Sequence, residues 1–192
     1  LLEQMLEQRR DGKWTERGLR ATASATQKRW RGGDDGAGPL LHRWAMALVR
    51  IHGDILFRDD WLVALAVDAV TIGAAAVDAG GAVAEDDLEL VRSLRARHER
   101  NAVILRAAAI LEARGGDQEA AVDAWRTLAR GQTRGTTPWF EARTHVMEHV
   151  AAEDPETAMT LLSQHAAMYP DWGPSPWGDR IRALHESLES AP

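Results

Sequence analysis

His145-Val146-Met147-Glu148-His149 spells His-x-x-Glu-His. On a helix this spacing sets two imidazoles on one face with a carboxylate beside them. That is the ligand pair and general base of inverted zinc peptidases. Such a centre also needs a third ligand from a later segment, for which Glu186 and Glu189 are the candidates. Both stand on a polar terminal helix with nothing to fix them, and the large α/β framework of those peptidases needs strands that no pattern here supplies. The expectation for His145 and His149 is therefore packing between helices, one ring nitrogen satisfied in each. A zinc hydrolase is kept as the remote alternative, and no cofactor is expected.

Other chemistry is sparse. His42, His52, His98, His165 and His185 are scattered and repeat no ligand spacing. Gly32-Gly33 and Gly36 lie in a polar loop with no strand before them and no Gly-Lys-Ser/Thr after them, so no phosphate loop is present. There is no Gly-x-Ser-x-Gly elbow, and with no cysteine in the chain, thiol catalysis, disulfides and Cys-based zinc sites are excluded. Asp59-Asp60 and Asp86-Asp87 look like paired carboxylates, but each precedes an apolar periodic run and is read as a helix cap.

The 192 residues are enough for a substantial core. Helix-favouring Ala and Arg are abundant, β-branched runs are scarce, and Lys appears only at Lys13 and Lys28, which fits a GC-rich bacterial genome. The formal net charge of −6 argues against a nucleic-acid partner. The charge is uneven: residues 1–31 hold eight Lys/Arg against four Asp/Glu, and residues 54–90 hold nine Asp/Glu against one Arg. The basic stretch Arg9–Arg31 carries Trp14 and Trp30 and is expected to form a solvated face or a docking surface for upstream repeats. The Ala-rich stretch Ala64–Val77 falls short of the ~20 residues that span a bilayer and is broken by Asp68, so no membrane span is expected. The compartment stays open, with a soluble cytoplasmic protein favoured. The chain starts at Leu1-Leu2 in helical register and without Met, which reads as part of a longer polypeptide.

Punctuation divides the rest into helices. Leu1, Leu2, Met5 and Leu6 make a short apolar face, and Trp14 opens a basic helix running to about Trp30. The loop Arg31–Pro39 is dense in Gly. Leu41, Trp44, Leu48, Ile51 and Ile55 alternate at spacings of three and four, as a helix requires. Further helices are expected from Trp61 to about Ala79, from Asp86-Asp87 onward, and over 102–114, with an optional break near Asn101. Thr137-Pro138, Asp154-Pro155 and Ser175-Pro176 each read as a capping residue followed by Pro at the first helical position. A last helix runs from about Trp177 to Leu188. Trp44, Trp61 and Trp125 are expected in the core, and Trp139, Trp172 and Trp177 as wedges near turns. About ten helices result, an all-α chain. Residues 1–38 form a basic helix pair with its Gly-rich loop, and residues 39–192 an array closed by a capping helix.

One phrase occurs twice. Gly116-Asp117-Gln118-Glu119-Ala120-Ala121 leads into Trp125 and Leu128-Ala129, and Asp154-Pro155-Glu156-Thr157-Ala158 leads into Leu162 and His165-Ala166. The small anchors Ala121 and Ala158 lie 37 residues apart. With Pro170 closing the second unit, and Ile104, Ala107, Ala108 and Leu111 in the preceding helix, residues 102–170 resemble the tetratricopeptide repeat family. The closing Pro of the first unit comes late, at Pro138 after the insert Gly131–Gly135, and the family's Trp-x-x-Leu-Gly-x-x-Tyr signature is absent.

The resemblance implies antiparallel helix pairs stacked as an α-solenoid, each pair burying its apolar face on the next. It also implies a non-catalytic scaffold that holds a peptide or protein domain on the first helix of each pair. Arg106, Phe140, Arg143 and Met147 are then the partner-binding positions. The alternative is a structural or regulatory segment docking to other parts of the same polypeptide or assembly.

Overall fold

The computed structural model describes residues 12–190, so the apolar face of Leu1, Leu2, Met5 and Leu6 lies outside the described residues. Among the described residues the chain is all-helical, with nine α-helices and no strand. The helices are α1 (Gly12–Arg31), α2 (Gly38–His52), α3 (Asp60–Asp78), α4 (Glu85–Arg97), α5 (Ala102–Gly115), α6 (Gln118–Gly131), α7 (Thr137–Glu153), α8 (Pro155–Met168) and α9 (Trp177–Glu189). Short 3-10 turns at Asp35–Ala37 and Gly53–Arg58 flank α2. The chain divides into two compact units, residues 1–94 and 95–192, with the boundary inside α4. The Gly-rich loop lies within the first unit.

In the first unit α1 packs on α2 and α2 on α3. Asp59 caps α3 by accepting from the Trp61 and Leu62 amides. Helix α3 has the length and the mean hydropathy (1.7) of a bilayer span. Half of it is nevertheless buried within the fold. Its mid-helix Asp68 is buried as well and accepts from Gln27 Nε2 (2.5 Å) and Arg31 Nη2 (2.8 Å). A buried carboxylate is tolerated when its lone pairs are filled in this way.

Arg20 likewise reaches Asp59 at 2.9 Å, and Arg50 reaches Asp86. Arg20 and Arg31 of the basic start thus pair with Asp59 and Asp68 of the acidic middle inside this unit. The docking surface expected on Arg9–Arg31 is in part spent there. Arg20 also lies over the Trp61 ring at 5.3 Å, and Trp61 is only partly buried, not the core residue expected.

Asp86-Asp87 differs from its expected capping role. Helix α4 starts one residue earlier, at Glu85, and the Asp87 and Leu88 amides bond to the Ala84 carbonyl. Asp87 is buried and faces His42 Nε2 at 2.8 Å. Gly73 makes room for it, since a Cβ there would come within 2.8 Å of Asp87 Oδ2.

In the second unit α5 packs on α6, α6 on α7 and α7 on α8, and α9 returns to lie against α7 and α8. Asn101 caps α5 by accepting from the Val103 and Ile104 amides, which makes the break that sequence left optional. Gly116 ends α5 at φ +94, and Asp117 caps α6. Of the three cap-then-Pro devices only Asp154-Pro155 works as expected, with Asp154 accepting from the Thr157 amide. Helix α7 begins at Thr137 itself, after Thr136, and α9 begins at Trp177 after a cis Ser175-Pro176 bond. The repeated anchors Ala121 and Ala158 are fully buried. The core cluster is Trp139, Phe140, Met147, Leu162 and Ile181, with Tyr169, Trp172 and Trp177 packed against it.

Candidate interaction site on the second unit

The four expected partner-binding residues fall in three different environments. Arg106 on α5 donates through Nε to Glu141 Oε1 at 2.9 Å, and its Nη2 lies 2.8 Å from the same oxygen. Glu141 is buried, so Arg106 compensates a carboxylate of its own chain and is not free for a partner's. Phe140 is 2 % exposed and belongs to the core, in edge contact with Trp139 and Tyr169. Its place on a groove wall is corrected: α7 turns that face inward to meet α8 and α9. Met147 is 1 % exposed, yet its side chain contributes to the floor of a cleft. Arg143 lines the same cleft.

This cleft has a volume of about 390 Å³. Helix α6 supplies Asp123, Arg126, Ala129 and Arg130, helix α7 supplies Trp139, Arg143, Val146 and Met147, and helix α8 supplies Leu161. The Asp123 carboxylate is occupied by Arg95. Arg143 has no carboxylate partner among the described residues. It lies 5.2 Å from the Trp139 ring centroid, a cation–π contact, and donates through Nε to His165 Nδ1 at 3.0 Å. Burial pushes its guanidinium below the usual value; Tyr169 opposes this and the charge of Arg134 adds to it. A guanidinium lowered from such a height is still charged at neutral pH.

His165 has no exposed surface. Nδ1 accepts from Arg143, so Nε2 carries the proton and donates to the Trp172 carbonyl at 3.1 Å. Trp139, Phe140, Tyr169 and Trp172 surround the ring. Burial lowers its affinity for a proton, the bond to Trp172 opposes that, and the Arg143 charge reinforces it. The folded state therefore favours the neutral ring more strongly than an unfolded histidine, which takes up its proton near pH 6.5. Below that pH the unfolded chain binds a proton that the folded chain refuses. The stabilising contribution is complete above about pH 7 and shrinks by up to about 1.4 kcal/mol per pH unit as pH falls toward the folded value. Ring-proton NMR is expected to show His165 titrating below the range of an unfolded histidine, and titration at or above pH 6.5 would contradict the buried, doubly bonded ring.

The His-x-x-Glu-His string is used differently from a metal centre. Glu148 is held by Arg180 through two bonds, 2.9 Å and 2.6 Å. Burial pushes its carboxyl up, but the His145 and Arg180 bonds and charges outweigh burial, and the group sits below the usual carboxylate range. His145 stacks on Trp125 with centroids 4.5 Å apart and has Trp177 on another side. His149 faces Glu153 at 3.2 Å. Among the described residues no three His, Cys, Asp or Glu side chains converge where an ion could sit, Glu186 and Glu189 included, so the donor set does not fit a zinc site.

Sequence reasoning missed Arg126 and Arg130 because they stand on the second helix of their pair, not the first. Their i,i+4 spacing on one face of α6 was the available signal. No protein family, no curated protein and no solved structure matches the chain.

Proposed function

We propose that the chain is a non-catalytic interaction scaffold whose helix pairs stack as a short α-solenoid, in the manner the repeated phrase implies, and that it holds a protein or peptide on its second unit. The observation that carries this reading is Arg143, a desolvated guanidinium on a cleft wall with no carboxylate partner among the described residues. Paired or caged charges serve the fold, as Arg106 and Arg180 do here. A half-buried cation left without an anion on the rim of a cleft suits an anionic group from outside.

Charge reversal by Arg143→Glu is expected to weaken partner capture about tenfold or more, a change of about 1.4 kcal/mol at the least. Helicity by circular dichroism is expected to stay near that of the parent, and Arg143→Lys to keep part of the binding. Capture unchanged by Arg143→Glu in a folded protein would remove this site from the reading.

A second reading, docking to another part of the same polypeptide, draws on the first unit. Ile55 is 60 % exposed, and the next residue, Leu56, lines a cleft of about 330 Å³ with Met46 and Leu90. Burial of Ile55 in a longer form of the protein, read by hydrogen exchange, is the expected sign of that arrangement.

A further inference from the structure

We propose that the α6–α7–α8 cleft takes an acidic peptide segment carrying one bulky apolar side chain. This deepens the scaffold reading and rests on it. Four guanidiniums gather at or near the cleft. Arg126 and Arg130 stand on one rim and Arg143 on the other, and Arg134 is near enough to repel Arg143. None has a carboxylate partner among the described residues. Arg130 bonds only within its own helix, to the Arg126 carbonyl and Thr127 Oγ1. Asp123, the one carboxylate lining the cleft among the described residues, is held by Arg95.

This concentration of positive charge sits on a chain whose formal net charge is −6. The excess is therefore local, and it attracts an anionic partner while the rest of the surface repels one. Between the rims the floor is apolar, built from Met147, Val146, Leu161 and Ala129. Its volume of about 390 Å³ lies at the small end of ligand-sized clefts, which run from about 300 to 1,000 Å³. That is room for a single large side chain with a short stretch of backbone.

Carboxylates on the rims and an apolar residue on the floor satisfy both parts of the site. A phosphate-rich polymer would match the charges and leave the floor unfilled. The Trp139 ring, which would stack a base if it were open, is 6 % exposed and has Arg143 over it. A membrane surface cannot enter a recess of this size between three helices.

The test uses the full chain and a fluorescein-labelled peptide, Glu-Asp-Leu-Asp-Glu, followed by anisotropy. Saturable binding that weakens with added salt is expected. Replacing the acids by Ser, or the Leu by Ala, is expected to weaken it severalfold. The double variant Arg126→Ala/Arg130→Ala is expected to bind about tenfold more weakly. Both arginines are exposed, so this variant keeps its fold. Equal binding by the double variant or by the Ser peptide overturns the proposal, as does binding of heparin or phosphatidylserine vesicles without peptide preference. A random peptide library separates this proposal from the scaffold reading. Selection of non-acidic peptides indifferent to Arg126 and Arg130 ends the cleft assignment alone, and selection of no peptide ends both.

Discussion

Gly173→Ala is expected to lower the stability of the second unit by about 2–5 kcal/mol. Two costs add at this position. Gly173 has φ +97, a conformation that an L side chain enters at about 1–2 kcal/mol. A Cβ built there would fall 2.3 Å from Phe140 Cε1 and 2.5 Å from Cζ, inside the core cluster. Overfilling a packed core costs about 1–3 kcal/mol more. Phe140 cannot retreat, since Trp139 and Tyr169 press on its ring. Gly131 is the contrasting control. It is the last residue of α6, with open space where a Cβ would go, so Gly131→Ala is expected to be neutral or stabilising by less than the about 1 kcal/mol of a helix interior. Urea titration, with hydrogen exchange over residues 137–189 to locate the loss, checks both signs.

Phe140→Ala is expected to cost about 3–5 kcal/mol, because the ring is almost wholly buried and leaves a cavity that α8 and α9 cannot close. This separates its role in the fold from a role in binding. A residue on an open groove wall can be truncated with little loss of stability, and a loss under 1 kcal/mol would return Phe140 to the surface. The two substitutions are also coupled. The cavity left by Phe140→Ala is where the Gly173→Ala methyl needs to go, so the double variant is expected to lose less than the sum of the singles.

The second unit was the more legible half. Gly115-Gly116, Asp117 and Asp154-Pro155 are local devices whose effect does not depend on distant packing, and the helices start and stop where they stand. Trp125, expected in the core from its apolar helical face, is buried, and so are the repeat positions Ala121, Ala158 and Leu162. What sequence left hidden depends on partners far along the chain. Asp87 read as a cap until His42 and Gly73 were placed around it. Glu148 read as a candidate base until Arg180, on a helix of its own, closed on both oxygens.

Position within a helix pair did not tell which way a side chain turns. Phe140 and Arg143 are three residues apart on α7, and one fills the core while the other lines the cleft. His165 shows the same limit. Its spacing marked a repeat position, but the aromatic enclosure and the bond to Trp172 come from a turn that no repeat specifies.

Binding of a partner in the guanidinium-rimmed cleft of the second unit is open to direct test. Its most direct measurement is a side-chain and backbone NMR titration of the chain with the acidic peptide, reading the arginine Nε–H signals. Arg126, Arg130 and Arg143 are expected to shift together with the amides of Val146, Met147 and Leu161, while Arg106 and Arg180, already held by Glu141 and Glu148, stay in place. Shifts absent from these residues, or spread evenly over both units, would contradict it.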